Sequence, residues 1–211
     1  MKTKTYRTDL LKEAAKWRLI SLLFECPVGD WREQVENLAG ELKDSKLKKA
    51  AKIARDEATE GLYHSIFAPG GPAPAREVSY RSWVDPGYLL SDLSGFYTAF
   101  GFQPQSAETP DHIAVETAFM AYLKIKEAFA YECDDVEKAE ITAQAATMFN
   151  DGHLAKMTEQ ISKCLAASGV EYLALTSAVL YEKVGRDKDR MVRQILPILG
   201  EPEDVFECGA M

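Results

Sequence analysis

Three residues within six positions could do chemistry: Asp111, His112 and Glu116. His112 and Glu116 stand four apart, which on a helix puts an imidazole and a carboxylate on one face. Such a pair could act as a general acid and base, or supply two ligands to a metal ion. A zinc site needs three or four ligands, and the other two histidines, His64 and His153, lie far off in the sequence. A structural reading stays open beside the chemical one, because the surrounding residues announce a helix start. Thr109 can cap, Pro110 suits the first helical position, and Asp111 meets the positive end of the helix dipole. From Ile113 to Leu123 the only strongly polar side chains are Glu116 and Thr117, so the predicted helix is buried nearly all round. The ionisable trio therefore sits at the mouth of a core helix.

The elements that must position this segment are helical throughout. Leu10, Ala14, Trp17, Ser21 and Phe24 recur at three- and four-residue steps and predict a first helix that stops before Pro27. Asp30 can open a second helix to Gly40, and a third is expected from about Ser45 to Tyr63, with Leu47, Ala51, Ile53 and Ala54 inward. The segment Ala68–Ala75 reads APGGPAPA, which fits neither a regular helix nor a central strand, and Tyr63, Phe67, Tyr80 and Trp83 flank it. Asp85-Pro86 reopens a helix through Phe100, closed by Gly101. Further helices are expected over Val136–Phe149, Gly152–Ser168, Val170–Val184 and Lys188–Leu196, followed by an acidic tail over 200–211. With no β alternation and no repeat, the pattern predicts an all-α, single irregular globular domain of roughly eight to ten helices over residues 1–211.

Composition removes several function classes. A formal charge of -8 leaves no basic face for nucleic acid, though it suits a basic peptide or protein partner. Cys26, Cys133, Cys164 and Cys208 are scattered without a C-x-x-C pair, which predicts reduced thiols rather than a disulfide framework or zinc site. No run approaches the ~20 apolar residues of a membrane span, and the N-terminus lacks a signal-peptide core, so a cytoplasmic protein with no membrane insertion is expected. Gly70-Gly71 stands between prolines rather than between strand and helix, so no phosphate-binding loop is marked, and weak nucleotide binding stays open.

Taken together, these segments resemble the TorD/DmsD/NarJ family of cytoplasmic chaperones that mature molybdenum oxidoreductases. The resemblance rests on Tyr63-His64-Ser65-Ile66-Phe67, on the Pro/Gly segment 68–75 leading to Val78-Ser79-Tyr80, and above all on Pro110-Asp111-His112-Ile113 with Glu116, Phe119 and Met120. Phe149 and His153-Leu154, then Tyr172, continue it in order. Two departures stand out: Val78 precedes Ser79 where relatives often carry an aromatic residue, and Ala155-Lys156-Met157 follows where a tryptophan is common.

The resemblance implies a TorD-like helical fold with no catalytic activity and no cofactor of its own. Its partner would be the apo catalytic subunit of a molybdopterin oxidoreductase, bound by its N-terminal, often twin-arginine, signal segment while cofactor insertion proceeds and export or assembly is delayed. It leaves open a monomer or a dimer formed by exchanging helices. A peptide-binding site is expected at Tyr63, Ile66, Phe67, Tyr80, Trp83, Pro110, Asp111, His112 and Glu116, with the aromatic residues lining an apolar groove and the acidic ones orienting arginines. The competing expectation is a small all-α metal-binding protein or enzyme using His112 and Glu116.

Overall fold

Leu19, Ile20, Leu22, Leu23 and Phe24 form an almost unbroken apolar run, and a helix bearing it must be covered on every side. In the computed structural model, which describes residues 2–185 and side chains from residue 6, that helix is α1 (Lys2–Leu23), with Phe24 just past its end, and all five residues are buried. Helix α6 (Ile113–Glu132) lies along it, and α2 (Trp31–Glu41) and α3 (Ser45–Glu57) also pack on it. The hydroxyl of Ser21 donates to the Ala114 carbonyl at 2.9 Å, pinning the end of α1 to the start of α6. Each fully buried leucine or isoleucine contributes about 1.5–3 kcal/mol, so this helix pair forms the spine of the core.

The helix expected over Ser45–Tyr63 is divided. It ends at Glu57, Ala58 and Thr59 are extended, and α4 (Glu60–Phe67) restarts with the Thr59 hydroxyl accepting the Leu62 N–H. Two side chains make the break stable. Thr59 satisfies a free amide of the new helix, and Arg32 donates to the carbonyls of Arg55 and Ala58 at the end of the old one.

The Pro/Gly segment then folds tightly against α4. Gly71 donates to Ala68, Ala73 donates to the Ile66 carbonyl, and a Cβ on Gly71 would come within 2.3 Å of that carbonyl oxygen. Only glycine fits there. A 3-10 turn (Glu77–Tyr80) leads to α5 (Pro86–Phe100), capped by Asp85 and closed by Gly101 in the left-handed conformation, as its sequence signals predict.

Helices α7 (Val136–Phe149), α8 (Ala155–Ala167) and α9 (Glu171–Val184) complete the described chain. A π-helical turn, Asn150–Leu154, joins α7 to α8 where the sequence pointed to a new helix start. Helix α7 packs on α6, while α9 packs on α3 and α8. Among the described residues there is no strand, only an isolated antiparallel bridge between Arg76 and His112. The expected helix Lys188–Leu196, the acidic tail and Cys208 lie outside the described residues.

Candidate functional site

Segment 109–113 does not begin a helix in the way its residue order suggested. Residue Ile113 starts α6, and the cap is His112, whose Nδ1 accepts the Ala114 N–H at 3.2 Å. The backbone on either side of His112 is held instead by Ala75 and Glu77. The Ile113 N–H donates to the Ala75 carbonyl, and the Glu77 N–H donates to the Asp111 carbonyl. A helix begun at Pro110 would have given the Ile113 N–H to the Thr109 carbonyl, and the Ala75 carbonyl takes it instead. The cap expected at Thr109, with Pro110 inside the helix, is therefore displaced by three residues.

That shift separates His112 from Glu116. Because His112 lies outside the helix, four-residue spacing no longer places the two on one face. The imidazole Nε2 stands 3.1 Å from the Tyr63 hydroxyl, which itself lies 2.8 Å from Glu108 Oε1. With Nδ1 accepting from a backbone amide, a neutral ring carries its proton on Nε2 and donates to Tyr63, which donates on to Glu108. Burial first, against the opposing pull of Glu108 and Asp111, holds the His112 pKa below the ordinary histidine value. Burial, reinforced by Glu108, pushes the Tyr63 phenol far above its usual range.

Glu116 points into a different cluster, built from Glu77, Asp111 and His153, and all four residues are buried. Arg76 donates through Nε to both oxygens of Asp111, at 2.9 and 3.1 Å. Arg81 reaches Glu77 Oε1 at 2.5 Å and the Gly152 carbonyl at 2.9 Å, tying the 3-10 turn to the π-helical turn. His153 places Nδ1 2.9 Å from Glu77 and Nε2 3.3 Å from Asp92 of α5. Its ring lies among Phe96 and Phe149. Neither oxygen of Glu116 has a hydrogen-bond partner among the described residues. Burial first, then the charges of Glu77 and Asp111, raise its carboxyl well above the carboxylate range, so it is held as the neutral acid.

The residues expected to line an open groove are mostly inside. Tyr63, Ile66 and Phe67 are buried because the apolar face of α4 lies on the core, with Phe67 edge-on to Phe24. Tyr80 is half-buried and donates to the Pro74 carbonyl at 2.7 Å, while the Pro110 carbonyl accepts from Tyr97. Trp83 is wholly exposed on the loop before α5, at φ +72°. Asp111 and Glu116, expected to orient arginines, are out of reach of a guest. The first is already paired with Arg76 and the second is neutral. Nor do His112 and Glu116 form a metal site: among the described residues no group of three or more His, Cys, Asp or Glu could hold an ion.

An open groove exists next door. It encloses about 550 Å³ between the end of α1, the loop before α2, the 102–108 loop and the outer face of α6. Leu22, Phe102, Ala114, Ala118 and Ala121 make its floor apolar, and Glu25, Asp30 and Glu108 stand at its lip with Arg18. Arg18 is bonded to Glu25 at 2.5 Å, whereas Asp30 accepts only the Gln34 amide. Among the described residues neither Asp30 nor Glu108 has a lysine or arginine partner. Three carboxylates face one guanidinium, so the lip is acidic. No motif marks these residues, because three distant segments assemble the groove.

Residues 29–162 match the family described as nitrate reductase delta subunit. The chain belongs to that family. A selenate reductase assembly chaperone protein from Thauera selenatis is 31% identical over 150 residues, spanning 69% of this chain and 76% of that protein. The nitrate reductase delta subunit family comprises maturation chaperones for redox enzymes, so this chain is an assembly chaperone and not a catalyst. No helix among the described residues is long and apolar enough to cross a membrane.

Proposed function

We propose that this chaperone captures the N-terminal segment, often a twin-arginine signal segment, of an apo molybdenum oxidoreductase catalytic subunit. It holds that subunit while cofactor insertion proceeds and delays its export or assembly. The observation that carries this reading is the groove beside His112, with its apolar floor and its acidic lip short of cations. A signal segment has the complementary order, an arginine pair followed by an apolar run that becomes helical on a surface. The relative named for selenate reductase assembly supports a client of the same broad kind.

The division of labour follows from magnitudes. Burying about 300 Å² of apolar surface at ~25 cal/mol/Å² gives about 7 kcal/mol before association costs. Exposed ion pairs add about 0–1 kcal/mol each. The floor therefore sets affinity, and Glu25, Asp30 and Glu108 set orientation and approach. On this reading Tyr63 and His112 act from behind the lip by holding Glu108. Pro110, Asp111 and Glu116 hold the backbone that carries it, and Ile66, Phe67 and Tyr80 support the same wall. Trp83, alone of the residues named from sequence, is exposed enough for direct contact with the client.

Calorimetry with a synthetic peptide carrying two arginines and an apolar run tests the assignment. Wild-type chain is expected to bind, and Ala118→Trp, which fills the half-buried floor, is expected to lose at least tenfold in affinity. Equal affinity in the two would sink the groove assignment.

A further inference from the structure

Helices α1 and α6 run antiparallel: Ser21 near the end of α1 meets Ala114 at the start of α6, and Tyr6 meets Glu127 and Tyr131 at the other end. The acid-lipped groove lies along this pair, with its carboxylates gathered at one end. Glu25 and Asp30 follow the end of α1 and Glu108 precedes α6, so all three stand toward the α6 N-terminus. From there each helix carries a stripe away from the lip. On α6, Ala118, Tyr122 and Ile125 line the groove at helical spacing, and Phe129 stands four residues further on the same face. On α1, Leu22 and Arg18 line it, and Ala15 and Leu11 continue their face toward the other end. Leu11, Ile125 and Phe129 are 47%, 50% and 68% exposed, so the far half of the stripe is apolar and open to solvent.

We infer that the client's apolar run lies along this stripe as a helix parallel to α6, an orientation that rests on the client reading above. Its arginine pair sits at the lip and its last turn at Leu11, Ile125 and Phe129. Charge sets the polarity. At the lip Glu25, Asp30 and Glu108 face only Arg18, which Glu25 already holds. Toward the other end stands Lys126, 5.4 Å from the centre of the Tyr122 ring and bonded to the Phe100 carbonyl. Among the described residues Lys126 has no carboxylate partner. A helix is positive at its N-terminus and negative at its C-terminus, so an arginine-first guest matches both ends. The reversed guest would bring its negative end to three carboxylates and its arginines to a lysine. Helical rise sets the length. Ala114 to Phe129 covers about 22 Å, the span of about 15 helical residues in the guest. A guest with half that run leaves Leu11, Ile125 and Phe129 in water. These three residues therefore distinguish a long apolar run from a short one.

Photocrosslinking to the full chain tests the polarity. Two synthetic peptides each carry an arginine pair, an apolar run of about 15 residues and a single benzoylphenylalanine. A photolinker beside the arginines is expected to mark residues 25–34 and 104–108. One at the end of the apolar run is expected to mark 8–15 and 125–133. Exchanged patterns, or the same links from both peptides, would overturn the orientation and leave the client reading standing. No saturable binding of either peptide by calorimetry would overturn both. Length has its own measurement. Halving the apolar run should weaken binding to wild-type chain about tenfold. In the double variant Ile125→Asp with Phe129→Asp, both at exposed positions, the two lengths should bind alike. A length difference that survives in the variant would remove Ile125 and Phe129 from the docking surface.

Discussion

Two acidic regions draw on the same segment, residues 108–116, and have opposite characters. In the buried cluster, Glu77 and Asp111 are each met by an arginine, and Glu116 is neutralised by a proton. At the groove, Asp30 and Glu108 stand at the lip with no lysine or arginine partner among the described residues. Carboxylates placed inside must be compensated by the fold itself, because burying an unpaired charge costs several kcal/mol. Carboxylates at a lip remain solvated and can be left for a partner. The residues most conspicuous in sequence are thus those that hold the loops, and the carboxylates left at the lip are inconspicuous. Tyr63 connects the two regions, since its hydroxyl touches both His112 and Glu108.

Breaking the buried side should give the largest effect. Arg81→Ala leaves buried Glu77 with His153 as its remaining partner and frees the Gly152 carbonyl, and is expected to cost about 3 kcal/mol by urea denaturation. Peptide affinity of the molecules that remain folded should not change. A loss of affinity matching the loss of stability would erase the distinction between the regions.

Glu116→Gln should act in the other direction. An amide keeps the shape, adds donors toward Glu77 and Asp111, and is expected to stabilise by about 1 kcal/mol. The pH dependence has a definite sign. Glu116 has a raised folded pKa, so the folded state binds more protons than the unfolded one above pH 4.5, and its contribution falls as pH rises from there. The gain from the glutamine should therefore grow with pH. His112 works oppositely. Its lowered folded pKa means the unfolded chain takes up the proton first, so stability is lost as pH drops below 6.5 toward that lower value. Thermal melts of wild type and Glu116→Gln between pH 4.5 and 8 separate the two contributions.

The smallest effect is expected at the lip. Glu108→Gln should weaken peptide binding by about 0.5 kcal/mol and leave the melting temperature nearly unchanged. Added salt should weaken wild type toward the variant, because exposed charges are screened. A salt-independent difference would mean that Glu108 acts by packing.

Much of the fold was legible in the residues. Asp85, Pro86 and Gly101 bound α5 as their chemistry requires, and the Pro/Gly run marked an irregular segment between α4 and the 3-10 turn. The division at Ala58-Thr59 was not legible, because Arg32 stabilises it from 26 residues away. The site was legible as a segment but not as a geometry. Pro110, Asp111 and His112 stand out in the sequence but suggested partners they do not have: their helical spacing failed once Ala75 and Glu77 drew the backbone into a bridge.

Sequence alone determined the helical class and the buried character of α6, which rest on local periodicity and turn chemistry, and the family resemblance, which rests on the motif residues around Tyr63 and Pro110. Tertiary structure decided which carboxylates are paired, which is protonated and which are exposed. Those properties depend on groups distant along the chain and on burial, and no local pattern encodes either.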